Sequence, residues 1–140
     1  MLRALNASES ATLCRFLDRL IPEDDYPGAV GAGVPEFLGR LASSDLPGLV
    51  LELRQGLAGL EAEAQAGYRM GFSQLDDAQA DIIIARSEQG EVRTPWDMDP
   101  KAFIGHLVTL TAEGYYADPG AGANRGAASW RMLGFERGHS

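Results

Sequence analysis

The sequence predicts an all-α protein: one compact domain of about five helices, with a Gly-rich loop after the first helix and an ordered, irregular C-terminal tail. Three observations predict it. Apolar residues recur at helical spacing in successive segments punctuated by capping residues and prolines, and no segments read as a strand pair with two-residue alternation. The 140 residues fall within the usual size of one domain, enough to bury roughly two thirds of the unfolded surface. The composition, 45% hydrophobic and 23% charged, is globular and excludes disorder throughout. A single domain over residues 1–140 is the expectation.

The first helix starts near Ser8, capped by Ser8 or Ser10. It carries Leu13, Phe16, Leu17, Leu20 and Ile21 on one face and stops at Pro22. Residues 23–33 have no apolar period and hold three glycines that permit positive φ, so they read as a shaped loop. A short second helix opens at Val34 with Pro35 in its first turn, shows Phe37, Leu38 and Leu41 on one face and ends around Ser43. Asp45 is the expected cap of a longer third helix, with Pro47 in its first turn and a stripe of Leu49, Val50, Leu53, Leu57 and Leu60, reaching Ala66 or beyond. Gly56, Gly59 and Gly67 each weaken this helix by up to about 1 kcal/mol unless another helix packs close against them.

Asp76 with Gln79 forms a variant capping box ahead of Ile82, Ile83 and Ile84. Three isoleucines in a row are also compatible with a buried strand, but the cap, the flanking alanines and Gly90 at the C-terminal side agree on a fourth helix. Thr94-Pro95-Trp96 is a connection that pins an aromatic whose N–H needs a partner. Asp99-Pro100 starts a fifth helix, whose face runs through Phe103, Ile104, Leu107, Val108 and Thr111 toward Tyr115. From Ala117 to Ser140 no period survives, and this tail is expected to lie ordered across the helices or across a partner.

Twenty acidic and twelve basic residues give a formal charge of −8, and the basic residues are scattered singly, which argues against nucleic acid as a partner. The longest uncharged stretch, Ala102 to Ala112, is far short of the roughly 20 apolar residues a membrane span needs. Cys14 is the sole cysteine, so no intrachain disulfide forms, and whether it is free or linked to a partner stays open. The first residues show neither an apolar core nor paired arginines, so no export signal is read in this chain.

No catalytic, cofactor-binding or metal-ligating residue is assigned. The glycines from Gly120 to Gly126 miss the dinucleotide spacing by one residue and follow a helix, and the cluster from Gly28 to Gly33 lacks a third correctly placed glycine. His106 sits mid-helix and reads as a satisfied helix-face histidine; Glu23-Asp24-Asp25 and Asp97-Met98-Asp99 read as solvated charges or caps. Cys14 lies among core positions, and no Gly-x-Ser-x-Gly elbow is present. What stands out is the aromatic inventory at the ends, since tyrosine and tryptophan are enriched at interface hot spots. Tyr26, Pro27, Tyr115, Tyr116, Asn124, Trp130 and Phe135 are therefore the candidate partner-interface residues, against the competing reading that the aromatics close the protein's own core. A different class of function, an autonomous small helical enzyme or ligand-binding protein, would place a pocket near His106, Tyr115 and Tyr116.

The order of segments carries a resemblance. A helix ending Leu20-Ile21-Pro22, acidic residues, Pro27-Gly28-Ala29, and Gly33-Val34 leading into Phe37 is similar to the opening block of the gluconate 2-dehydrogenase subunit 3 family. Gly114-Tyr115-Tyr116, Asp118-Pro119, Gly122, Asn124, Trp130 and Gly134-Phe135 resemble its closing block, in which a Gly-Tyr-Tyr helix end leads into Asp-Pro, a Tyr-Gly-Gly-Asn turn, a Trp and a Gly-Phe. Ala121 replaces the tyrosine of that turn and Ala123 its second glycine, while the resemblance runs from about Ser8 to Arg137. It implies a soluble bacterial accessory small subunit, non-catalytic by itself, that binds and stabilises a GMC-type flavoprotein, the catalytic subunit of a sugar or sugar-acid dehydrogenase. By the same implication FAD sits in that partner and none in this chain, and a cytochrome c subunit with haem takes the electrons in many such complexes. Many members also carry a twin-arginine leader that exports the folded complex. Without one here, the complex is periplasmic if the partner carries the signal and cytoplasmic otherwise.

Overall fold

A computed structural model describes residues 4–116, so Asn124, Trp130, Phe135 and the expected tail lie outside the described residues. Five α-helices make up the described domain: α1 (Ala7–Leu20), α2 (Val34–Ser43), α3 (Leu49–Tyr68), α4 (Asp77–Glu88) and α5 (Pro100–Tyr116), with one 3₁₀ turn at Phe72–Gln74. No strand occurs among the described residues, and the isoleucine run is helical, with Ile83 and Ile84 turned inward and Ile82 half exposed.

Local chemistry sets the helix starts. The cap of α1 is Asn6, two residues before the expected serine. Its Oδ1 accepts the Glu9 N–H at 2.7 Å, and the Glu9 carboxylate accepts the Asn6 N–H at 2.9 Å. Ser8 as a cap would have had Ala11 at the third position, with no acceptor to complete the box. Asp76 and Gln79 close the box expected for α4, at 2.8 and 3.1 Å. Asp45 does not cap α3. Residues 44–48 are taken up in turns, in which the Leu46 N–H donates to the Leu41 carbonyl at 2.7 Å, so α3 begins only after Gly48 and Pro47 precedes it.

The core is one cluster to which every helix contributes: Leu13, Phe16 and Leu17 from α1, Leu38 from α2, Leu53, Leu57 and Leu60 from α3, Ala80 and Ile83 from α4, and Phe103, Ile104, Leu107 and Tyr115 from α5. At its centre the Phe103 ring stacks on Phe16 with centroids 5.8 Å apart and meets Trp96 at 6.3 Å. Two of the glycines in α3 make this possible. A Cβ at Gly56 would collide with the Phe103 ring and one at Gly59 with the Trp96 indole, so the helix carries glycine where α5 and the 91–99 connection approach it. Gly67 is not such a position: its nearest neighbour is 3.9 Å away. On the outside, Arg19 grips Asp81 with two bonds of 2.9 Å, and Arg15 reaches the Leu75 carbonyl at 2.6 Å, tying α1 to the start of α4.

Gly105 stands exposed in the interior of α5 with nothing within 4 Å of the place a Cβ would take. Gly105→Ala is therefore expected to stabilise the domain by about 0.5–1 kcal/mol through the unfolded chain's lost freedom. A thermal melt should show a higher midpoint, and an unchanged or lower one contradicts the assignment of open space there.

Candidate partner-binding face

The loop between α1 and α2 is rigidly built. Asp18, on the last turn of α1, accepts the Val30 N–H at 3.0 Å; the Ala29 N–H donates to the Ile21 carbonyl at 2.9 Å, and the Val34 N–H to the Ala29 carbonyl at 3.1 Å. Gly28 is buried so closely that a Cβ would lie 2.8 Å from both the Ile21 carbonyl and the Glu23 nitrogen. Gly33 takes φ +92°, which lets the chain turn directly into α2. At the tip, Asp24 and Tyr26 hold each other through the Tyr26 N–H to Asp24 carboxylate bond of 3.0 Å and the Asp24 N–H to Tyr26 carbonyl bond of 3.1 Å.

Tyr115 joins this loop to α5. Its ring is fully buried, and its hydroxyl donates to the Pro27 carbonyl at 2.8 Å across 88 positions of sequence. One residue earlier, Gly114 lets the Phe37 ring of α2 approach, since a Cβ there would stand 2.6 Å from it. Tyr116 packs edge-on against Tyr115, 6.0 Å between centroids, and is half-buried. The structure therefore brings Tyr26, Pro27, Tyr115 and Tyr116 to one end of the domain. Pro27 is exposed, Tyr26 half-buried, and Glu23, Asp24 and Asp25 add exposed carboxylates beside them, while Tyr115 supports the loop from inside. Nine or ten helical positions of α5 separate this end from the middle of the bundle, where the histidine lies.

His106 belongs to another part of the molecule. Its Nδ1 lies 2.7 and 2.9 Å from the two oxygens of Glu52 on α3, the satisfied helix-face pairing expected of it. Nine residues of helix put it about 13.5 Å along the axis from Tyr115 and on the opposite side of α5. Cys14 is half-buried, and burial followed by the carboxylates of Asp18 and Glu36 pushes its thiol up, which makes it a poor nucleophile at neutral pH. Among the described residues no group of three His, Cys, Asp or Glu side chains could hold a metal ion, and no helix is long and apolar enough to cross a membrane.

A second polar centre escaped the sequence reading. Glu63 is buried on α3, and its carboxylate accepts the Arg93 N–H at 3.0 Å, the Thr94 N–H at 2.8 Å, the Thr94 hydroxyl, and the Trp96 indole N–H at 3.4 Å. The tryptophan expected to need a partner finds it here. Burial acts to raise the Glu63 carboxyl, but the bonds from Thr94, Arg93 and Trp96 together outweigh it and hold the group below the usual carboxylate range. One signal was available: Glu63 sits three residues after Leu60 and seven after Gly56, in register with the apolar stripe of α3.

The fold and the site define the class: a small helical domain with a prebuilt aromatic and acidic end, assembled from the first and last parts of its described chain. The family model described as gluconate 2-dehydrogenase subunit 3 matches residues 7–138, and the chain belongs to that family. It is thereby a subunit of the gluconate 2-dehydrogenase type, an oxidoreductase complex. Comparison with curated proteins and with solved structures found no match.

Proposed function

We propose that this chain is the non-catalytic accessory subunit that binds and stabilises a GMC-type flavoprotein, the FAD-bearing catalytic subunit of a sugar or sugar-acid dehydrogenase, with a cytochrome c subunit and its haem as the electron acceptor of the assembly. The compartment of the complex follows from which subunit carries its export signal. The observation that carries this reading is the Tyr115 hydroxyl on the Pro27 carbonyl. It joins the opening block of the family's pattern to Gly114-Tyr115-Tyr116, the start of its closing block, as expected if what the family shares is a face for a partner. Tyr26, Pro27 and Tyr116 supply that face with ring and apolar surface, and Asn124, Trp130 and Phe135 are its proposed continuation.

Binding only the folded partner stabilises it by mass action. Co-expression should therefore raise the soluble yield and melting temperature of the catalytic chain, and equal yield, activity and melting with and without this subunit would contradict the reading. At the residue level, Tyr26→Ala should weaken the complex about 30-fold, as truncation of an interface hot spot of about 2 kcal/mol does, with little change in the melting of the isolated subunit. If the variant is pulled down as well as the parent, the partner binds elsewhere.

A further inference from the structure

We propose that a cleft at the far end of α3, distinct from the face above, binds a single carboxylate carried on a small apolar group. The cleft has a volume of about 160 Å³, close to the roughly 150 Å³ that holds a benzene ring in an apolar cavity. It lies between the last turns of α3, the outer side of α4 and the connection after it. Tyr68 and the isoleucines Ile82 and Ile83 form its apolar walls, and Arg86 and Arg93 its cationic ones.

The charge arithmetic of the lining selects the ligand. Two guanidiniums face one carboxylate, that of Glu63, leaving a single positive charge that a monoanion balances. The Glu63 oxygens accept the donors of residues 93–96, and neither guanidinium is among their partners. Elsewhere in this acidic chain, Arg15, Arg19 and Arg54 are paired with Asp77, Asp81 and Glu9. Among the described residues no carboxylate lies in ion-pair reach of Arg86 or Arg93, although the chain holds eight more acidic than basic side chains. Arg93 is also held in place. Glu63 fixes its backbone, and its Nη1 lies 3.9 Å from the Cβ position of Gly67, where the absence of a side chain leaves the guanidinium open. Arginine's planar fork matches a carboxylate in two-point contact, and the exposed flank of Ile82 offers the ligand's apolar part a surface.

The ligand has two sources, a small free carboxylate or the C-terminal carboxylate of a protein chain, and the experiment separates them. The full chain, labelled with ¹⁵N-arginine, is titrated with sodium benzoate, with an acetyl-Leu-Phe peptide bearing a free carboxylate, with its C-terminal amide, and with inorganic phosphate. Benzoate should shift the Nε–Hε signals of Arg86 and Arg93 together, at about millimolar affinity for a ligand of this size. A free-acid peptide binding more tightly than benzoate, with its amide silent, identifies a chain terminus as the occupant; benzoate alone identifies a small free carboxylate. Arg86→Gln and Arg93→Gln should each weaken binding about tenfold or more, while Arg40→Gln on the exposed side of α2 should not. Both variants keep the fold's own bonds, since Arg86 contributes its carbonyl and Arg93 its N–H through the backbone. The proposal is overturned if the two signals stay unmoved up to about 50 mM, a range in which millimolar ligands saturate. Phosphate matching benzoate, or Arg40→Gln weakening binding equally, overturns it too. Neither result bears on the partner-binding face, whose test is the pull-down.

Discussion

Phe103→Ala is expected to remove about 3–5 kcal/mol of stability, the upper range for a buried aromatic. The ring is completely buried between Phe16 and Trp96, and the wall opposite it is the bare backbone at Gly56. Most cavities shrink because a neighbouring side chain swings inward, but Gly56 has none to swing, so the void left by the ring stays open. Against a total stability of about 5–15 kcal/mol this is a large fraction, and the midpoint of a urea melt should fall accordingly. Phe103→Leu, which refills most of the space, should lose less than half as much. A loss for Phe103→Ala below about 1.5 kcal/mol would show that the helices close over the gap and that the contact with Gly56 does not set their spacing.

Glu63→Ala is expected to cost about 2–4 kcal/mol, since hydrogen bonds to a charged group contribute more than neutral ones and four donors lose one acceptor together. Glu63→Gln should rescue little of it: the amide nitrogen would face the N–H groups of Arg93 and Thr94, donor against donor. The effect depends on pH with a definite sign. The carboxyl is held below its unfolded value, so its stabilising contribution is present above the unfolded value, about 4.3 for glutamate, and is lost as pH falls through the folded one. The gap in stability between the parent and Glu63→Gln should thus be widest near neutral pH and narrow on acidification below about pH 4. A gap that stays constant from neutral to strongly acid pH would mean that the charge of Glu63 is not what anchors the connection.

The helices were legible where a local rule decides alone. The reciprocal box of Asp76 and Gln79, the prolines Pro35 and Pro100 in first turns, and the Leu stripe of α3 place four elements closely. The misplaced caps at Ser8 and Asp45 are of one kind. Several polar residues compete for each cap, and the winner depends on what stands three residues on, as Glu9 does for Asn6, or on how the preceding turn closes, as the Leu46 to Leu41 bond does for α3. The glycines of α3 read as weaknesses because a helix in isolation gives no hint of Phe103 or Trp96 arriving from 37 to 47 positions away. Of the candidate face, the residue types were legible and their division was not. Tyr115 and Tyr116 are neighbours in sequence, yet one is enclosed and the other half open, because successive positions on a helix point about 100° apart. Glu63 was hidden by the habit of reading charge as surface, and its donors are backbone groups that every sequence has.

The bond between Tyr115 and Pro27 also sets an order of events during synthesis. A chain emerges from its N-terminus at about 5–20 residues per second, so the 88 positions between the two partners correspond to about 4–18 s. Throughout that interval α1 and its loop exist without the hydroxyl that fixes the Pro27 carbonyl. The face therefore matures only once α5 has been made, and a partner that recognises its finished shape meets a chain that already carries all five helices.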